Sequence, residues 1–181
     1  MCGIFGAWVP NRRWKQADVQ RAIDSLSHRG PDGAGYYCDD GVLLGNTRLA
    51  IQDITHGDQP MYSEDRQIVV VQNGEIYNFV ELRAELKQRG VMFKTRCDTE
   101  VILRLYEAGG VDALTRCHGM FAIALFDCRE QKLHLIRDRL GVKPLFAQVI
   151  DEGIIFASEI KTLRTLVATK ARINQTALSH Y

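Results

Sequence analysis

Three stretches of the chain carry apolar side chains three and four positions apart, which is the spacing of one face of an α-helix. The three stripes are Val19, Ala22, Ile23 and Leu26; Phe79, Leu82 and Leu86; and Val101, Ile102, Leu105 and Tyr106. Asp18 and the pair Asp98-Thr99 stand where N-caps are expected, and Gly90 and the pair Gly109-Gly110 stand where helices end. The pattern therefore predicts three amphipathic helices.

Five other stretches have the apolar character of strands. They are IVVVQN, MFAIALFDC, KLHLIRD, LFAQVI and GIIFAS. The run from Phe121 to Phe126 is apolar at every position, so both faces of that strand should be covered. The segment CREQK, which joins the second and third strands, indicates a hairpin loop. Strands that are covered on both faces, with helices at intervals, predict stacked sheets beneath helical layers.

Composition then narrows the class of protein. A length of 181 residues suits one domain with a substantial core. A net charge of +1 argues against nucleic-acid and membrane-surface partners, which call for a basic excess. We see no apolar run long enough for a membrane span and no secretory signal. The five cysteines form no CxxC pair, which disfavours disulfides and zinc and favours a reduced, cytoplasmic protein without a metal site.

Cys2 stands directly behind the initiator methionine, in MCGIFG. One interpretation is a small core residue at the start of a buried strand. The other is a residue that carries both a thiol and a free α-amino group once Met1 is removed. Such a residue combines a nucleophile with its own base, because the α-amino group has an ordinary pKa of about 7.7–8.0.

Three polar positions interrupt the apolar pattern. Arg48 lies between apolar stretches in NTRLAIQD and is either an exposed strand residue or a carboxylate binder. In QNGEIYN, Asn73 and Gly74 form a hairpin turn or supply two donors to an oxyanion, and Glu75 follows them. Asp98 caps a helix or receives an ammonium group. Together with Cys2, these residues are the inventory for cleaving the side-chain amide of a free amino acid.

Eight motifs in order, MCGIFG, HRGPDG, RLAIQD, NGEIYN, DTEVIL, GMFAIALFD, RDRLGVKPLF and FASEIK, resemble the glutaminase domain of glutamine-hydrolysing asparagine synthetases. The resemblance covers residues 2 to about 165. It implies an α+β fold of the N-terminal-nucleophile (Ntn) hydrolase type, a four-layer αββα sandwich with two antiparallel sheets. It also implies hydrolysis of L-glutamine to glutamate and ammonia.

The resemblance assigns a role to each candidate site residue. It implies that Cys2 attacks the amide carbon and that Asn73 and Gly74 form the oxyanion hole. Arg48 would bind the α-carboxylate, and Glu75 and Asp98 would bind the α-amino group. Backbone groups of four further residues would line the pocket: Leu49, Ala50, Ile51 and Gln52. Arg29 and Asp32, in HRGPDG, would hold a turn near the nucleophile by an ion pair.

The resemblance also carries expectations about the rest of the enzyme. Residues 1–165 would be the glutaminase domain, and residues 166–181 would begin a connection to a C-terminal synthetase domain. That domain would use ATP and Mg²⁺, whereas this chain has neither an SGGxDS loop nor a P-loop and is expected to need no cofactor. The motifs leave a homodimer open. One departure is Asn46, where the family usually has histidine.

Three functions remain open at this point. The favoured one is a glutaminase that feeds an ATP-dependent amidation, with aspartate as the favoured acceptor and a sugar or another carboxylate as alternatives. The second is an N-terminal-cysteine amidase for a substrate that is not an amino acid, against which Arg48 and Asp98 argue. The third is a retained, non-catalytic domain, which would tolerate loss of Cys2, Asn73 or Arg48.

Overall fold

A computed structural model describes residues 1–150, 152–167 and 175–179. Its first sheet has the strand order β2-β3-β1-β9-β8, with every neighbouring pair antiparallel. These strands are β1 (Gly3–Trp8), β2 (Gly33–Asp39), β3 (Val42–Arg48), β8 (Phe146–Ile150) and β9 (Gly153–Ala157). The strand that follows Cys2 is therefore the central strand of this sheet.

The second sheet has the order β4-β5-β6-β7 and is also antiparallel throughout. Its strands are β4 (Met61–Tyr62), β5 (Ile68–Ile76), β6 (Gly119–Asp127) and β7 (Lys132–Arg137). The helices are α1 (Gln16–Leu26), α2 (Phe79–Gln88), α3 (Asp98–Ala113), α4 (Ile160–Leu166) and α5 (Gln175–Ser179). A short 3₁₀ turn (Leu114–Arg116) follows α3.

Alternating side chains of the inner strands fill two different cores. In β5, Val69 and Val71 belong to the cluster between the two sheets, whereas Ile68 and Val70 pack beneath α2 and α3. The apolar face of α1, with α4, covers the first sheet. Each inner strand is thus buried on both faces, as the unbroken apolar run in β6 predicts. The predicted four-layer αββα sandwich is confirmed.

Local details differ from the sequence predictions in three places. Helix α1 begins at Gln16, and Asp18 lies in its first turn, paired with Arg21, instead of capping it. The carboxylate is still favourable there, because the helix dipole stabilises negative charge in the first turn. Helix α3 extends to Ala113, although the backbone is not helical at Gly109-Gly110, where the pattern ends it. The third difference, at Asn73-Gly74, affects the site and is described below.

The predicted boundary between residues 165 and 166 remains a prediction. Leu166 and Val167 pack into the core beneath α4. Most of the predicted connection, residues 168–174 and 180–181, lies outside the described residues.

Candidate active site

A cavity of about 150 Å³ opens where β1, β3 and β5 meet the start of α3. Nine of the ten predicted site residues line it: Cys2, Arg48, Leu49, Ile51, Gln52, Asn73, Gly74, Glu75 and Asp98. Ala50 does not, because its backbone N–H faces away and donates to Asp32 Oδ2 at 2.8 Å. The structure therefore brings together residues that are up to 96 positions apart in the sequence.

Cys2 lies immediately before β1 and beside the end of β3. Its Sγ accepts a hydrogen bond from the Leu49 N–H at 3.4 Å and lies 3.7 Å from the Leu49 carbonyl. Arg29 Nε donates to the Cys2 carbonyl at 3.0 Å. The half-buried thiol is thus fixed against the main chain while it borders the cavity.

The turn formed by HRGPDG lies next to this cysteine, but a different ion pair holds it. Arg29 pairs with Glu159 at 3.1 Å, and His28 contacts the same carboxylate at 2.8 Å. Burial alone would raise the pKa of Glu159, but hydrogen bonds from His28 and Arg29 outweigh it and lower the pKa to about 2. The predicted Arg29–Asp32 pair is wrong, because Asp32 binds the Ala50 N–H instead.

Asn73 has a side-chain amide with no partner. The residue is completely buried, yet among the described residues neither Nδ2 nor Oδ1 makes a hydrogen bond. A buried polar group without a partner costs about 1–3 kcal/mol, so native structures rarely leave one unpaired. Because Asn73 borders the cavity, its amide is available to a ligand there.

Asn73 and Gly74 do not form a hairpin turn. β5 continues through both residues to Ile76 and pairs with β6 in unbroken register. Gly74 has a φ of 150°, and a Cβ at this position would lie 2.0 Å from the Met120 carbonyl oxygen. Glycine is required because the two strands approach closely here, and this approach keeps the backbone at the cavity wall.

The Arg48 guanidinium is engaged by the segment that follows β3. Nη1 donates to the Ile54 carbonyl at 3.0 Å and to Asp58 at 2.7 Å. Nη2 donates to the carbonyls of Gln52, at 3.3 Å, and Asp53, at 2.8 Å. Arg48 is therefore a buried strand residue rather than an exposed one, and it holds the 52–58 segment over the cavity.

Asp98 faces the cavity from the first turn of α3. Cys97 is the N-cap, so the alternative that Asp98 caps the helix is wrong. Asp98 Oδ2 accepts hydrogen bonds from the Ile76 N–H at 2.8 Å and from Gln72 Nε2 at 3.0 Å. Burial raises the pKa of Asp98, and these two donors oppose that rise. Glu75, half-buried, borders the same cavity from β5.

Sequence reasoning missed several residues of the cavity wall. Gln59, Gln72 and Thr99 border it and are joined by hydrogen bonds. Lys143 also borders it and is buried, with Nζ 3.2 Å from Met1 Sδ. Gln72 and Lys143 lie within motifs that carried the resemblance, so their positions were available as signals. Gln59 had no such signal.

Asn46, the departure from the family pattern, does not border the cavity. It is completely buried in β3, and its Nδ2 donates to the Gln72 carbonyl at 3.3 Å. Its Oδ1 has no partner among the described residues. Asn46 thus supports β5 from the neighbouring sheet, directly behind the cavity wall.

Two further searches bear on the class of protein. Within residues 1–150, 152–167 and 175–179, no group of three or more His, Cys, Asp or Glu side chains could hold a metal ion. The helices of the same ranges include none with the length and apolar character of a membrane span.

Comparison with known proteins identifies the class to which this fold and cavity belong. The family model described as "Glutamine amidotransferase domain" matches residues 1–181. The chain therefore belongs to the glutamine amidotransferase domain family. The solved structure of glutamine phosphoribosylpyrophosphate amidotransferase from B. subtilis has a TM-score of 0.76 and 22% identity, and it covers 91% of this chain and 43% of that one. The Ntn-hydrolase fold is confirmed.

The curated relatives are more specific. "Asparagine synthetase [glutamine-hydrolyzing] 2" of Bacillus subtilis (strain 168) is 48% identical over 167 residues, which are 90% of this chain and 22% of that protein. "Asparagine synthetase B [glutamine-hydrolyzing]" of Escherichia coli (strain K12) is 40% identical over 169 residues, which are 90% of this chain and 30% of that protein. The resemblance inferred from the motifs is confirmed. The chain spans less than a third of the length of these relatives.

Proposed function

We propose that this chain hydrolyses L-glutamine to glutamate and ammonia, with Cys2 as the nucleophile after removal of Met1. The observation that carries the proposal is the unpartnered Asn73 amide in the same cavity as the Cys2 thiol. An unpaired donor beside a nucleophile is the arrangement that stabilises the oxyanion of acyl transfer.

The proposed reaction needs no second side chain as base. The free α-amino group of Cys2 takes the thiol proton, and the thiolate attacks the side-chain amide carbon. The carbonyl oxygen becomes an oxyanion that accepts hydrogen bonds from Asn73 Nδ2 and the Gly74 N–H. The C–N bond then breaks, and the departing nitrogen takes the proton from the α-ammonium group. Water, deprotonated by the same amine, hydrolyses the resulting thioester and releases glutamate.

The cavity offers opposite charges to the two ends of a free amino acid. In this proposal Asp98 and Glu75 bind the substrate α-ammonium group, and Arg48 binds the α-carboxylate. Asp58 now occupies one Arg48 donor, but its side chain is 85% exposed. Ion pairs of exposed groups contribute only about 0–1 kcal/mol, so the substrate carboxylate can replace Asp58 at little cost.

A substrate panel tests this assignment. We expect the Met1-trimmed protein to release ammonia from L-glutamine, and to lose about 10-fold or more in kcat/KM with glutaric acid monoamide or 4-aminobutanamide, since each lacks one charged end. Ammonia and the product acid are measured for each amide. Equal kcat/KM values for the three would indicate an amidase that does not recognise amino acids. No ammonia from any amide would indicate a non-catalytic domain.

Asn73→Ala tests the oxyanion hole. We expect kcat for L-glutamine to fall about 10²–10³-fold, because one preorganised donor to the oxyanion is removed. KM should change little, since the developing charge exists only in the transition state. Steady-state kinetics measure both constants. An unchanged kcat would leave Asn73 as a structural residue of β5.

We propose further that the ammonia supplies an ATP-dependent amidation, with aspartate as acceptor and asparagine as product. The names of the relatives support this acceptor over a sugar or another carboxylate. ATP and Mg²⁺ would be used by a synthetase domain of the same polypeptide, since the relatives are more than three times as long as the matched segment. A cytoplasmic location is in keeping with five free cysteines. A homodimer stays a prediction.

A further inference from the structure

We propose that Gln72 is a positioning residue for substrate binding: its side-chain amide aims the Asp98 carboxylate at the substrate ammonium group. The inference rests on the proposed function and adds a residue to it. Gln72 lies on β5 directly before Asn73, and 1% of its surface is exposed.

All four polar groups of Gln72 have partners. Its N–H donates to Gln59 Oε1 at 2.6 Å, and its carbonyl accepts from Asn46 Nδ2 at 3.3 Å. Its side-chain Oε1 accepts from Thr99 Oγ1 at 2.8 Å, and its Nε2 donates to Asp98 Oδ2 at 3.0 Å. The two side-chain contacts fix which end of the amide faces Asp98, because Thr99 needs an acceptor while it serves as donor.

The position of Thr99 reinforces this orientation. Gln59 Nε2 donates to Thr99 Oγ1 at 3.3 Å, so the hydroxyl proton is left to point at Gln72. Gln59 therefore contacts Gln72 through its carbonyl and Thr99 through its amide nitrogen. The chain of hydrogen bonds from Gln59 through Thr99 and Gln72 ends on Asp98, and all four residues border the cavity.

The consequence for Asp98 is that one oxygen is held and the other is available. Gln72 Nε2 and the Ile76 N–H both reach Oδ2. An ammonium group in the cavity would therefore meet Oδ1 in a fixed direction. The same two donors keep the buried carboxyl ionised, because they oppose the pKa rise that burial causes.

The neighbouring charges do not replace this contribution. Cys97 and Cys117 interact with Asp98, but burial raises the pKa of both thiols, to about 11 for Cys117, so they stay neutral. The charged or titratable side chains that share the cavity with Asp98 are those of Cys2, Arg48, Glu75, Cys97 and Lys143. No ion pair joins Asp98 to a cation among the described residues, so neutral donors carry its stabilisation.

The test is Gln72→Met in the Met1-trimmed protein. Methionine has a similar length but no donor. We expect KM for L-glutamine to rise about 10-fold, because a hydrogen bond to a charged group is lost, while kcat changes less than about 3-fold. The acid limb of the kcat/KM profile should move to higher pH, since losing a donor raises the pKa of Asp98 further. Gln67→Met, at an exposed position before the same strand, is the matched control and should leave both constants unchanged.

A double-mutant cycle separates positioning from packing. In an Asp98→Asn background we expect Gln72→Met to add no further rise in KM, since its partner charge is gone. Thr99→Val, a second variant, should raise KM in the same direction by a smaller factor. If wild type hydrolyses glutamine but Gln72→Met keeps its KM and pH profile, or if the two effects simply add, the inference is wrong and the proposed function stands. If wild type releases no glutamate, the proposed function itself fails.

Discussion

Cys2→Ala is expected to remove glutamine hydrolysis, with a loss in kcat of at least about 10³–10⁴-fold, because no other group can form the thioester. The fold should persist. The side chain is half-buried, and the residue precedes β1 rather than filling a core cluster. Glutamate release and thermal unfolding, measured on the same preparation, check both halves of this expectation.

A glutamine-like electrophile gives an independent readout. We expect it to label Cys2 and to spare the buried Cys97 and Cys117, whose pKa values are raised by burial and whose thiolate fractions are therefore small. Cys38 is the matched control, because it is exposed but lies outside the cavity. Cys38→Ala should keep full activity and full labelling. Label found chiefly on a cysteine other than Cys2 would contradict the assignment of the nucleophile.

Retention of Met1 is expected to abolish hydrolysis as completely as loss of the thiol. With Met1 in place, the Cys2 nitrogen belongs to an amide, which cannot accept a proton near neutral pH. The methionine side chain also borders the cavity, where its sulfur lies 3.2 Å from Lys143 Nζ. Met1 thus removes the base and fills space near the nucleophile.

The comparison uses two forms of one protein whose intact masses show Met1 present or absent. Met1 is 58% exposed, so a processing enzyme can reach it in the folded chain. A C-terminal tag on the trimmed form is the control and should not change the rate. If the two forms released glutamate equally fast, a base other than the α-amino group would be activating Cys2.

The layered fold was predictable because its signals are local. The 3.6-residue and unbroken apolar patterns each report which faces of an element are buried, and they placed α2, β5, β6 and β7 correctly. Helix ends were less accessible. Asp18 is a common capping residue, but α1 begins earlier because the Lys15 carbonyl accepts hydrogen bonds from the N–H groups of Asp18 and Val19.

The candidate site was predictable only as far as its motifs reach. Cys2, Asn73 and Asp98 stand out in sequence because each interrupts or precedes an apolar run. Gln59 lies in a segment without periodicity, and its contacts with Gln72 and Thr99 depend on how distant segments pack. The true partner of Arg29 was equally inaccessible, since Glu159 is 130 positions away. Long-range polar pairs leave no period in the sequence, so only the folded chain reveals them.

The central position of β1 has a consequence for biosynthesis. β1 pairs with β9, and the Ser158 hydroxyl accepts a hydrogen bond from the Ile4 N–H at 2.9 Å while the Ser158 N–H donates to the Ile4 carbonyl at 2.8 Å. The first strand to leave the ribosome therefore waits for one of the last strands of the domain before its sheet is complete. A nascent chain that ends before residue 153 has the nucleophile but only one neighbour for its strand. Such a chain should not release ammonia, so glutamine is protected from hydrolysis by unfinished protein.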